Sequence, residues 1–247
     1  MSIELIDTRK AGLRGALPPL SYLGTTLRDY IKGSLPVPPK VFDYGPMVKN
    51  YPMALNDSLG ICTLAGVVHL LQVWYAELGE TFVYPGDDLM RSTYFGMSGG
   101  QDTGLVEASV LQVWMTTGLF STKIAAAVPV NPKDETEFRA ACYLFGGVYL
   151  GLEMPSNADQ QFENHQPWHL TIPRAQVAGG HCVVATGCNR DGINLITWGE
   201  ETTMTWDFWD TYGTEAHAVI PQAFVELDHG PVAGLDILAL QADLKLV

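Results

Sequence analysis

Leu55-Asn56-Asp57-Ser58-Leu59-Gly60-Ile61-Cys62-Thr63-Leu64-Ala65-Gly66 reads as a polar turn that delivers a cysteine to the first turn of an apolar helix. Its counterpart lies far downstream, where Gly179-Gly180-His181-Cys182-Val183-Val184-Ala185-Thr186-Gly187 reads as a strand opened by a histidine. Asn189-Arg190-Asp191-Gly192 supplies a hairpin turn, and Ile193-Asn194-Leu195-Ile196-Thr197 returns as a second strand ending in Trp198-Gly199. An early thiol at a helix start and a late imidazole on a β-hairpin is the arrangement that a thiol–imidazole nucleophile needs.

Working outward, Ala65, Val68, Leu71, Val73, Trp74 and Leu78 recur at helical spacing until Gly79 stops the helix, and Asp57 or Ser58 is placed to cap its start. A second helix is expected over 88–95. A third is expected over 106–117, with Val110, Val113 and Trp114 on one side and Gly118 at its end. Between 138 and 219 the period shifts toward two, with strands over 147–152, 181–186, 193–197 and 216–220. Residues 205–212, with Trp206, Phe208 and Trp209, read as a short aromatic helix packed on that sheet, and 235–247 as a last helix. Helices first and a sheet later imply an α+β fold of two lobes, the cysteine on one and the histidine on the other. The expected organisation is a Pro-rich arm over 1–54 with one short helix over 23–32, a helical lobe over 55–135, a β-rich lobe over 136–230 and a tail over 231–247. An arm of that length needs packing against its own body or a neighbouring subunit.

The 247 residues are 47% hydrophobic and 17% charged, which suits a sizeable core and argues against global disorder. A net charge of −13 repels nucleic acid and anionic membrane, so neither is expected as a partner. Met1-Ser2-Ile3-Glu4-Leu5-Ile6-Asp7 lacks a basic segment followed by an apolar one, and no apolar run approaches the roughly 20 residues that span a bilayer. The expectation is a soluble, cytoplasmic chain without a signal peptide, its four cysteines (Cys62, Cys142, Cys182, Cys188) reduced. His181, Cys182 and Cys188 lack the spacing of a zinc knuckle, so no metal and no cofactor is expected.

A thiolate at a helix N-terminus is stabilised by unpaired backbone N–H groups and the helix dipole. A neighbouring imidazole adds a cation and later returns a proton to the leaving group. The oxyanion of acyl transfer needs donors, for which the Cys62 backbone N–H and the Asn56 amide are candidates. Each residue also has a plainer role: Cys62 as a small buried hydrophobe, His181 as a core histidine, Asn56 as a turn residue. His69, His165, His169, His217 and His229 stand apart from any nucleophile at motif spacing and read as surface or packing residues.

Asn56 and Cys62, six apart and followed by a helix, resemble the oxyanion-hole Gln and nucleophilic Cys of papain-like cysteine peptidases. Val41-Phe42-Asp43-Tyr44 is similar to that family's Val-Asp-Trp motif. Asp102-Thr103-Gly104 with Ala108, Leu111 and Gly118 resembles its Gly-rich stretch and the helix beside the substrate cleft. The 180–187 strand looks like its His-Ala-Val strand, and 193–199 like the strand ending in Asn-Ser-Trp-Gly. The likeness spans about residues 40–222 with the motifs in order. It implies a papain-like two-lobe fold, a helical N-terminal lobe packed on an antiparallel β-sheet or barrel lobe. It also implies catalytic roles for Cys62 (nucleophile), His181 (base, then acid), Asn56 (oxyanion donor) and Thr197 (orienting the imidazole).

The sequence departs from the family at several points. Ile196 stands where the family's orienting Asn is found, Asn56 replaces Gln, and Thr63 replaces the usual Trp. The cysteines that staple the family's helical lobe are missing. Sequences with an Asn-Asp-x-x-Gly-x-Cys turn resemble those of tailed phages and their hosts. Two functions follow from the resemblance: a cysteine hydrolase acting on a peptide or protein substrate, or a degenerate papain fold serving as a structural or binding component, for example of a phage particle, joined to other subunits through its arm.

Overall fold

The computed structural model describes residues 25–222. Expectations for the arm before residue 25 and for the helix over 235–247 in the 231–247 tail lie outside the described residues. The expected arm helix over 23–32 is, in its described part, the single turn α1 (Leu27–Tyr30), because Ile31 turns to extended backbone. Leu27, Tyr30 and Ile31 are nonetheless buried in the main core. Arg28 pairs with Asp134 at 2.6 Å, and Arg139 donates to the carbonyls of Pro39 and Lys40 at 2.9 Å each. The arm from residue 25 onward therefore packs on its own body.

The expected helices stand close to their sequence bounds as α2 (Cys62–Glu77), α3 (Asp87–Met97) and α4 (Glu107–Thr116). Side chains from Cys62 through Leu71, and then Val73 and Trp74, are buried, so α2 is apolar on all sides and runs through a core rather than along a surface. Gly79, at φ 74°, turns the chain out of it. The shift toward period two does not hold over 138–145. There α5 (Glu135–Phe145) starts where Asp134 Oδ1 accepts the Glu137 N–H at 3.0 Å, and Gly146 in the left-handed region ends it. Phe138, Ala141, Cys142 and Phe145 form its buried stripe.

Short β1 (Phe42–Asp43) is followed by β2 (Ile124–Pro129), β3 (Val148–Pro155) and β4 (Val177–Cys188). After β4 come β5 (Gly192–Thr197), β6 (Glu200–Thr205) and β7 (Gly213–Pro221), with helices α6 (Ala158–Glu163) and α7 (Trp206–Tyr212) between strands. Among the described residues every pairing between these strands is antiparallel, in the order β2-β7-β3-β4-β5-β6 with β1 on β4. The sheet is open and does not close as a barrel. The fold is α+β.

Each face of the sheet carries a core. Cys182 and Val184 of β4 face α2, α3 and α4, while Val183 and Ala185 face α5, α7 and the aromatic side chains Trp168, Trp198 and Phe208. Gly187 lets β1 lie against β4, since a Cβ there would sit 2.2 Å from the Phe42 carbonyl oxygen. Asp43 then accepts from Thr186 and Asn194, both at 2.8 Å. No helix among the described residues is long and apolar enough to cross a membrane.

Candidate active site

The turn before Cys62 is held from outside. Asp102 Oδ1 accepts the Gly60 N–H at 2.8 Å and the Tyr94 hydroxyl at 2.6 Å, and that hydroxyl accepts the Gly104 N–H at 2.9 Å. A side chain at position 60 would lie 3.1 Å from both oxygens, which explains the glycine. The Asp102-Thr103-Gly104 stretch therefore braces the cysteine turn, and Tyr94, which the sequence did not single out, is its relay. Neither Asp57 nor Ser58 caps α2. The N-cap is Ile61, which has no capping side chain, so the first N–H groups of α2 stay free for the sulfur. The Cys62 thiol is drawn toward its own N–H, that of Thr63 and that of Cys182, the residue after His181. These N–H groups, one of them on the histidine strand, favour the thiolate form of Cys62.

Thr197 holds His181, with Oγ1 2.7 Å from Nε2. The imidazole stacks on Trp198 at 4.9 Å and meets the edge of Trp168 at 6.4 Å. Trp198 and Gly199 join β5 to β6 as a two-residue turn with φ of 48° and 76°, the left-handed pair such a hairpin requires. A Cβ on Gly199 would lie 3.1 Å from Tyr51 O and Met53 N, so the indole turn is pressed against the segment leading to Asn56. His181 lies inside β4 rather than opening it, because the strand begins at Val177. His69 packs within α2, its Nε2 2.9 Å from the Pro52 carbonyl, and fixes that same segment.

Three buried polar atoms here lack hydrogen-bond partners among the described residues: Asn56 Oδ1, His181 Nδ1 and Trp198 Nε1. The thiol of Cys62 is therefore not hydrogen-bonded to Nδ1 in this state. Cys62 and His181 are both 0% exposed. Burial pushes the Cys62 thiol up to about 12, against the pull of the backbone N–H groups, with the Glu107 carboxylate raising it further. Burial pushes His181 down to about 3. Thiol and imidazole are both neutral near pH 7. All four cysteines are buried and free.

A second buried group escaped the sequence reading. Glu107 from α4 and Glu215 and His217 from β7 bring one ligating atom each to within 4.8 Å of one another. The one signal available beforehand was the Glu-x-His alternation, which puts both side chains on one face of a strand.

No protein-family model matches the sequence, and a comparison with curated proteins gives no match. Solved structures do match. Xylellain, a cysteine protease from Xylella fastidiosa, superposes with a TM-score of 0.64 at 14% identity, over 84% of this chain and 96% of that one. Procathepsin B S9 from Trypanosoma congolense gives 0.58 at 10%, over 88% and 89%. The proform of Amb a 11, a cysteine protease and ragweed pollen allergen, gives 0.59 at 12%, over 87% and 74%. The fold of this chain is papain-like. Identities this low carry the fold and nothing finer.

Proposed function

We propose that the protein is a papain-like cysteine hydrolase of peptide or amide bonds whose resting site is closed. Cys62 attacks the carbonyl carbon, His181 takes the thiol proton and returns it to the leaving amine, and Asn56 with the Cys62 N–H stabilises the oxyanion. Thr197 orients the imidazole from Nε2, which leaves Nδ1 for the thiol. The observation that carries this reading is the unmet bonding of Asn56 Oδ1, His181 Nδ1 and Trp198 Nε1. Each buried orphan costs about 1–3 kcal/mol, and a purely structural core would satisfy such atoms. Apo sites commonly tighten their catalytic hydrogen bonds only with substrate bound.

A degenerate fold acting as a structural or binding component, such as a phage-particle subunit, is the second reading. The zero exposure of both Cys62 and His181 favours it. A peptidyl epoxide separates the two. On the hydrolase reading it labels Cys62 near pH 7 far faster than Cys142, Cys182 or Cys188, and Cys62→Ala abolishes the adduct. Equal slow labelling of all four thiols refutes the hydrolase.

A further inference from the structure

On the α2 face of the sheet, beside Cys182, Glu107 projects from the first turn of α4 toward β7. Glu215 and His217, two apart on β7, project from one face to meet it. Glu215 Oε2 and His217 Nε2 are 3.0 Å apart, the spacing of neighbouring ligands on an ion whose bonds are about 2.1 Å long. Opposite Glu215 in the β3–β7 ladder stands Gly151. A Cβ there would lie 2.6 Å from Glu215 Cγ and 2.9 Å from Glu107 Oε1. The space in which the two carboxylates meet exists because position 151 has no side chain.

Within this group the one close polar contact is that of His217 Nε2 with Glu215 Oε2, which leaves Glu107 without a cationic partner among the described residues. Glu107 is 0% exposed and has only the weak Cys182 thiol as a neighbouring donor, and Glu215 Oε1 has no hydrogen-bond partner among the described residues. Among the described residues no Lys or Arg pairs with either acid. Two buried carboxylates without a counter-charge are expensive, and a divalent cation removes that expense.

We propose that Glu107, Glu215 and His217 bind one first-row divalent transition cation of the zinc or manganese class. Two carboxylates and a neutral imidazole cancel its charge, and a mixed nitrogen–oxygen set suits such an ion better than magnesium or calcium, which prefer oxygen alone. A cavity of about 240 Å³ lined by Thr25, Thr26, Asn131 and Pro132 reaches Glu215 and His217 and gives the ion a path. From the widest ligand spacing of 4.8 Å, the side chains close by on the order of 1 Å to complete coordination. The site does not depend on Cys62 reacting.

The test uses the full chain, stripped with a chelator and dialysed against zinc or manganese chloride. Elemental analysis should return one ion per chain, with a melting temperature raised by the metal. Glu107→Gln should weaken binding at least about tenfold. Gly151→Ala, which fills the space between the ligands, should do the same, while Cys62→Ala binds as wild type. The cobalt-loaded wild type should show ligand-field bands without sulfur-to-cobalt charge transfer. Wild-type protein that retains no ion, Glu107→Gln that retains it as well as wild type, or charge-transfer bands lost in Cys182→Ala would each overturn the assignment. Should Glu107→Gln fail to fold, the cobalt spectrum and Gly151→Ala still decide.

Discussion

Thr197, one residue after the position at which Ile196 replaces the family's orienting Asn, reaches Nε2 of the fully buried His181 at 2.7 Å. Thr197→Val keeps the shape and leaves that nitrogen without its partner, so the variant should be less stable by about 1–3 kcal/mol in urea unfolding, and Thr197→Ser should recover most of the loss. Two variants of equal stability would mean that the hydrogen bond contributes nothing. The partner itself was legible, because Thr197 precedes Trp198 in a strand paired with that of His181. The neutral state of the imidazole was not legible. It follows from Trp168 and Trp198 enclosing the ring, and no sequence interval encodes their distances.

At the scale of elements, the joint between the Asn56–Cys62 turn and the loop before α4 rests on one carboxylate. Asp102 gathers the Gly60 N–H and the Tyr94 hydroxyl, and Tyr94 passes the connection to Gly104. Asp102→Ala leaves a buried backbone N–H unpaired and should cost about 2–3 kcal/mol. The loss should appear as faster amide exchange at Gly60 and Gly104 than at the centre of α2; uniform acceleration along the chain would contradict a local brace. The sequence marked both ends of this joint, the Cys62 turn and Asp102-Thr103-Gly104, as separate motifs. That they are one hydrogen-bonded unit depends on α3 carrying Tyr94 between them. The helix over 135–145 was missed for another reason. Its Asp134 cap and Gly146 stop are ordinary signals, but the apolar strands on either side masked them.

For the whole molecule, burial of titratable groups sets the acid response. His181 and His69 are held at about 3 and about 4 in the native state against an ordinary value of 6.5. Above pH 6.5 both are neutral folded or unfolded. As pH falls below that value the unfolded chain takes up protons that the native state refuses, so stability is lost on acidification, at about 1.4 kcal/mol per pH unit for each group. Glu77, raised to about 7 by burial, works in the opposite sense: the stability it contributes is full below 4.5 and is lost as pH rises through 7. Comparing urea midpoints of wild type and His69→Gln between neutral pH and 4.5 isolates the histidine. The wild type should weaken more steeply on acidification, and parallel curves would contradict the assignment. By itself the sequence determined the α+β class, the order of the main elements and the thiol–imidazole motif, because periodicity, turn residues and local spacing are encoded along the chain. Only the tertiary structure decided that thiol and imidazole are both fully buried and that His181 Nδ1 has no hydrogen-bond partner among the described residues. It alone brought Glu107, Glu215 and His217 together across Gly151, because burial and proximity arise when distant segments pack and leave no mark in local order.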